Sequence, residues 1–402
     1  MKKNVKKVLA TVVVAGMGVA SLAGCTATPK TSSMTDVMNV ASELDSYSYS
    51  YKYSMTTDGE TMEVELYGNC TKDAVSVSVK VEADEMDYDA KDIAIATKDA
   101  LYINLAEIED EFLAEMDLGT YGLDADWIKL DYGMELEVTD ATASFGTMFE
   151  AVEEAYGDMI EEEDGEYVLV VDDNETAKEF LELTADMIDE NQADWTDVLV
   201  SSYDSFDYET FITNFMNNLF MEINRTFDLG LTSAEIKSAV EDAVADIDFE
   251  ELESEMDETY YADMFAELSE EIRVMAEEVD IEESNGEIEL KAFQDGKEYV
   301  TSFKMSYETD YEDVELEFES TIVAEKVEVS VPTKNVMSVE EAICVLIETF
   351  SGDIYADDAE ELIEDVMDSM GDIDLSGMSG LVSPDVDYDD WDDYDEYWDE
   401  EW

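Results

Sequence analysis

The chain has 402 residues, 108 of them Asp or Glu against 20 Lys or Arg, with 3 Cys, 3 Pro and no His. A formal net charge of −88 excludes tracking a nucleic-acid backbone or adsorbing to an anionic membrane through side chains, because both surfaces are negative. The absence of His excludes Ser-His-Asp and Cys-His catalysis and the usual zinc sites, while 46% hydrophobic residues suffice for a substantial core.

The first residues combine Lys2, Lys3, Lys6 and Lys7 with an apolar run from Val8 to Leu22 and the small-residue string Leu22-Ala23-Gly24-Cys25. That order is the pattern of a secretory signal peptide over 1–24. The run is shorter than the ~20 residues a spanning helix requires. Leu22 to Cys25 resembles the lipobox of bacterial lipoproteins position by position. The resemblance implies cleavage before Cys25, acyl chains on its thiol and amine, and a place on the extracytoplasmic face of the bacterial cell membrane. Two or more chains anchor stably where one is marginal. Residues 25–33 then form a polar tether. Cleavage removes four lysines and no acid, leaving 16 basic and 108 acidic residues, a net −92. Such a chain stands off the lipid surface in an atmosphere of counter-cations.

Residues 34–45 place Met34, Val37, Met38, Ala41 and Leu44 on one face of a short amphipathic helix. The period then becomes two. In Tyr47 to Met55 every odd position is apolar, and Met62-Val64-Leu66 and Val75-Val77-Val79-Val81 alternate with polar residues. These are half-buried antiparallel strands joined by turns at Asp58-Gly59 and Thr71–Asp73. Ile93–Thr97, Ala100–Leu105 and Trp127–Tyr132 add further strands.

From about 134 to 279 the period is helical, interrupted by one strand at Tyr167–Val171. Phe211, Phe215, Leu219 and Ile223 mark one helix, and Tyr261, Phe265, Leu268 and Ile272 another. Between them a capping box, Thr232 with Glu235, opens a third. Strands return over 280–331, with hairpin turns at Asn285-Gly286 and Asp295-Gly296, and Val327, Val329 and Val331 close the run. A second box, Ser338 with Glu341, starts a helix to about Phe350, and another spans about 357–370.

Asp372 to Gly377 matches the start of a calcium loop, but position twelve is Ser383 where a bidentate acid is needed, so no metal site is assigned. Residues 384–402 form an acidic-aromatic tail that reads as disordered. From Asp385 on it holds 11 acids and 6 aromatics, including Trp391, Trp398 and Trp402. Cys70, at a strand end, and Cys344, inside an apolar helix, favour two buried thiols over a bridge. Asn69, Asn174 and Asn224 head glycosylation sequons that a bacterial lipoprotein would rarely use. With 108 acids, two neighbouring carboxylates carry no information about hydrolysis. Neither an enzymatic centre nor a cofactor is assigned.

Two strand blocks flank a helical middle without long or Pro-rich linkers. The economical fold is one α+β domain over 34–383, a curved antiparallel sheet covered by the amphipathic helices of 174–275. Leu44 to Tyr49, Ala100 to Asn104 and Asp126 to Asp131, with long hairpins between them, resemble the lipid-anchored half-barrel proteins of the LolA/LppX type. That resemblance implies a curved sheet and helices holding acyl chains. The helical block is longer than that family leads one to expect. The tyrosines at 47, 49, 51 and 53 and the many methionines are candidate cavity lining or ordinary core. The function expected is a non-catalytic, lipid-anchored protein holding or transferring a hydrophobic or amphiphilic ligand at the cell envelope. The alternative is a surface interaction protein that binds envelope polymers or proteins through the helical block or residues 385–402.

Overall fold

The computed structural model describes residues 29–351, apart from 58, 84–85, 109–122, 135–149, 164, 205–206, 246, 248, 250–257, 279–285 and 309–312. The signal peptide, Cys25, the helix at 357–370, the calcium-loop motif and the acidic-aromatic tail lie outside the described residues.

The described chain is α+β, built on one 12-stranded sheet. β1 (Ser46–Thr57) lies inside the sheet. On one side follow β2 (Glu60–Thr71), β3 (Ala74–Ala83), β4 (Met86–Thr97), β5 (Ala100–Asn104) and β6 (Trp127–Asp131). On the other lie β11 (Asp313–Val323), β10 (Glu298–Glu308), β9 (Glu287–Asp295), β8 (Glu166–Val171) and β7 (Glu161–Glu163). β12 (Val336–Ser338) is parallel to β6 at one edge, and every other neighbouring pair is antiparallel. The two strand blocks therefore meet at β1 and β11. The far edge, β7, is three exposed glutamates, a charge pattern that discourages further strand pairing.

Alternation gives the sheet two unlike faces. Tyr49 lies opposite Gly68 and Ile322, Tyr51 opposite Leu66, and Tyr53 opposite Val64 and Phe318, so the odd residues of β1 share an apolar face with these partners. The other face, which holds Ile95, Tyr102 and Trp127 towards the β6 edge, carries mainly Ser, Thr, Lys and Glu. All six strand lysines lie on it, because register links Lys52, Lys80, Lys291 and Lys304 through cross-strand Ser and Glu, and Lys91 and Lys129 follow the same alternation. Lys52, Lys80, Lys129, Lys291 and Lys304 each pair with a neighbouring carboxylate.

Helix α1 (Met34–Met38) and a 3-10 turn (Val40–Glu43) lie on the apolar face, where Met34, Val37, Val40 and Leu44 are buried with Tyr47, Tyr49, Val77 and Tyr299. The single helix expected over 34–45 breaks at Asn39. Both the N–H and the hydroxyl of Ser42 donate to the Asn39 carbonyl, which tightens the chain into a 3-10 turn.

The remaining helices are α2 (150–156), α3 (Asn174–Asp204), α4 (Tyr208–Phe227), α5 (Ser233–Val244), α6 (Glu258–Glu278) and α7 (Val339–Ser351). They cover the sheet less than the expected lid would. α2 and the start of α3 pack on β8 and β9 through Tyr156, Phe180, Leu169 and Leu290. Beyond that, α3 pairs with α6 through Trp195, Phe265 and Ile272, and α4, α5 and α7 bury Phe220, Val240 and Cys344 together. Neither of these two clusters contains a strand residue. The segment 324–335, expected to continue as strand through Val331, leaves the sheet after β11. Its Val329 packs on Ile95, Tyr102 and Trp127, towards β12.

Candidate functional site

The apolar face is closed in steps, and the steps follow the cross-strand rows. Tyr299, Ile322, Tyr49, Val77 and Ala94 form a row beneath α1 and are all buried. The neighbouring row through Tyr51 is buried at Leu66, Val79 and Ala90 but only half-buried at Tyr51 itself. In the next row Phe303, Phe318 and Tyr53 lie side by side, with Phe318 39% exposed. The row after it sets Met305, Leu316, Met55 and Met62 side by side, all half-buried.

These seven residues of the two rows belong to none of the five apolar clusters among the described residues. The surface they make is a strip across β10, β11, β1 and β2. α1 bounds it at one end and the α2–α3 packing bounds it on the β9 side. Tyr51 stacks on Phe318 with centroids 6.4 Å apart and planes 12° from parallel, joining the strip to the core. Aromatic rings offer rigid faces there, and the methionines offer adaptable, polarisable ones.

Two backbone devices shape the sheet beside this strip. Gly68 faces Tyr49, whose hydroxyl donates to the Ser76 carbonyl at 2.8 Å. A Cβ at Gly68 would stand 1.9 Å from that carbonyl oxygen and 3.0 Å from the phenol oxygen. In β4 the register slips opposite Val77 to Val79, and Asp92 takes a left-handed backbone at φ 47°. A close-approach glycine in β2 and a bulge in β4, on either side of β3, strengthen local twist and bend the sheet.

The expected cavity tyrosines divide accordingly. Tyr47 and Tyr49 are core, Tyr51 is packed against the core, and Tyr53 lies on the open strip. Burial pushes the Tyr47, Tyr49 and Tyr51 phenols above their ordinary range, so they stay neutral. Cys70 and Cys344 are both buried, in different clusters, and are not joined in a disulfide. Burial drives the Cys70 thiol up to about 11, partly offset by the neighbouring Tyr47 hydroxyl, which lowers it. Phe303, Met305, Leu316 and Phe318 were legible as strand residues, but nothing in their spacing marked them as the uncovered part of the face.

Among the described residues no group of His, Cys, Asp or Glu is arranged to hold a metal, and no helix is long and apolar enough to cross a membrane. Comparison with family models, with curated proteins and with solved structures finds no match to this chain.

Proposed function

We propose that this chain is an extracytoplasmic, lipid-anchored, non-catalytic binding protein that holds an amphiphile against the open strip of its sheet. The observation that carries the reading is the exposure of Phe318 among half-buried Tyr53, Met55, Phe303, Met305 and Leu316. Contiguous apolar surface of this kind marks interaction sites in soluble proteins. A ligand with an apolar body would complete the strip, and its polar end would reach the solvent beyond the hairpin ends. The half-barrel lipoproteins of the LolA/LppX type provide the analogy, and Cys25 is the proposed lipidation site.

Native mass spectrometry of the protein taken from a bacterial envelope, before and after organic extraction, tests this function. An extractable mass of lipid size, lost in Phe318→Glu, supports it. A clean unliganded mass with no uptake of an apolar fluorescent probe refutes it. Anchoring has its own test: Cys25→Ala should release the protein into the medium.

α6 supports a second function, docking of a protein partner. Tyr260, Met264, Leu268 and Met275 lie on one side of this helix at 38–50% exposure, while Tyr261, Phe265 and Ile272 are buried on the side facing α3. Met264→Lys combined with Leu268→Lys would abolish such docking while leaving lipid loading intact.

A further inference from the structure

Much of the polar face of the sheet carries lysine and glutamate, as in Lys52, Lys80, Glu82, Lys304 and Glu317, and towards β4–β6 it holds the apolar cluster of Ile95, Tyr102 and Trp127 under Val329. At one place the long charged side chains give way to short hydroxyls and an amide. Ser48 and Ser50 of β1, Asn69 of β2, Ser76 and Ser78 of β3 and Thr321 of β11 surround a groove of about 420 Å³. Its volume falls within the ~300–1,000 Å³ of ordinary ligand pockets.

The groove lies over the two backbone devices that bend the sheet. Its floor is fixed: the Ser78 hydroxyl accepts the Asp92 N–H at 2.9 Å, and the Ser76 hydroxyl accepts the Asn69 N–H at 3.3 Å. Both serines are buried, at 2–3% exposure. The bulge brings Lys91 and Asp92 to the wall, and Tyr67 adds a ring whose hydroxyl is tied to Asp89 at 2.7 Å. Glu65, held by the Ser50 hydroxyl at 2.6 Å, supplies a further carboxylate. Past Val323 the chain is fastened alongside, where Ser46 donates to the Glu325 carbonyl and Ser48 to its carboxylate. A solvated sheet face needs none of this. Charged side chains would keep it soluble without a depression.

We propose that this groove binds a neutral or amino-bearing sugar unit. Closely spaced hydroxyls, an amide and carboxylates match the alternating donors and acceptors of a polyol, and the Tyr67 ring can cover an apolar sugar face. Two carboxylates against one ammonium make the groove net negative, which admits a sugar ammonium and rejects sugar acids. The groove lies on the opposite face from the amphiphile strip and does not depend on it.

Saturation-transfer NMR on the purified protein, without its anchor, is the test. The probes are glucosamine, the N-acetylglucosamine dimer and a neutral glucose disaccharide, with glucuronate as the anionic control. Saturable binding of at least one of the first three, with no glucuronate binding, is the expected result. Asn69→Ala should weaken it about tenfold, the scale of one lost hydrogen bond. Thr321→Tyr, which fills the groove from a half-buried position on its wall, should abolish it with near-UV circular dichroism unchanged. No saturable binding by any sugar, or binding indifferent to Asn69→Ala, overturns the proposal.

Discussion

At Gly68 the close approach of three strands leaves room for a hydrogen atom and nothing more, since the Ser76 carbonyl would lie 1.9 Å from a methyl group. Both neighbours are committed, the carbonyl to the Tyr49 hydroxyl and the ring to the core. Gly68→Ala is predicted to destabilise the sheet by about 3 kcal/mol, near the upper end of overpacking costs, read as a lower urea midpoint. Cys70, the cross-strand partner of Tyr47, makes a second prediction at this scale. Its thiol, raised from 9.0 to about 11, stays protonated in the folded protein while the unfolded chain already ionises. The folded state then holds more protons, so stability falls as pH rises from about 9 through about 11. Tyr47, Tyr49 and Tyr51 act in the same direction. Urea midpoints measured across that range should decline, and alkylation of Cys70 by iodoacetamide should track global unfolding.

Helix ends are the elements that local sequence specifies best. Thr232 and Glu235 exchange hydrogen bonds as a complete capping box, with the Thr232 N–H donating to the Glu235 carboxylate at 2.8 Å, and Ser338 and Glu341 do the same at the start of α7. Thr232→Ala should cost about 1 kcal/mol, seen as a lower melting temperature or earlier urea transition of the helical part. Strands with strict alternation were equally legible: β1, β2 and β3 lie where their period places them, and the Asp295-Gly296 turn has Gly296 at φ 63°. β7 was not legible, because Glu161-Glu162-Glu163 has no alternation and forms only by pairing with β8. The opening residues of β4 do alternate, Met86, Tyr88 and Ala90 with Asp87 and Asp89, but the run is short and the bulge at Asp92 breaks its phase with the apolar residues that follow. Which element covers which face is a long-range matter that periodicity does not encode. The amphipathic faces of α4 and α6 are satisfied by other helices, α5 and α7 for the first and α3 for the second, as readily as by a sheet. The groove left a local trace, serines rather than lysines at the even positions of β1, whose meaning depends on the Gly68 kink and the Asp92 bulge beside it.

Over the whole molecule the charge decides how the protein responds to its medium. With 108 acids and 20 basic residues, most carboxylates have only each other and water as company, and folding brings them closer together. Like-charge repulsion on this scale opposes compaction and is screened within about 10 Å at 0.1 M salt. Most of the scarce cations among the described residues already serve as local pins, as where Arg273 of α6 reaches Asp186 and Asp189 of α3 at 3.0 and 2.6 Å. The unfolding free energy from urea titrations should therefore rise with sodium chloride from 10 mM to 1 M, by more than the few tenths of a kcal/mol that exposed pairs such as these lose on screening. A flat or falling profile would show that the native fold spaces its carboxylates well enough to escape the repulsion.

The placement of β1 between β2 and β11 also has a consequence in time. One flank of the strand is satisfied by its sequence neighbour, whereas the other waits for residues 314–323 and the hairpins that bring them there. A chain made from its N-terminus thus carries an unpaired inner strand, bearing four tyrosines on one side, until nearly all of the sheet has been synthesised. Native pairings so remote in sequence are slow to form because loop closure precedes any gain from contact. The molecule is consequently most open to mispairing and aggregation at its own centre, and it needs its last hairpins to protect its first strand.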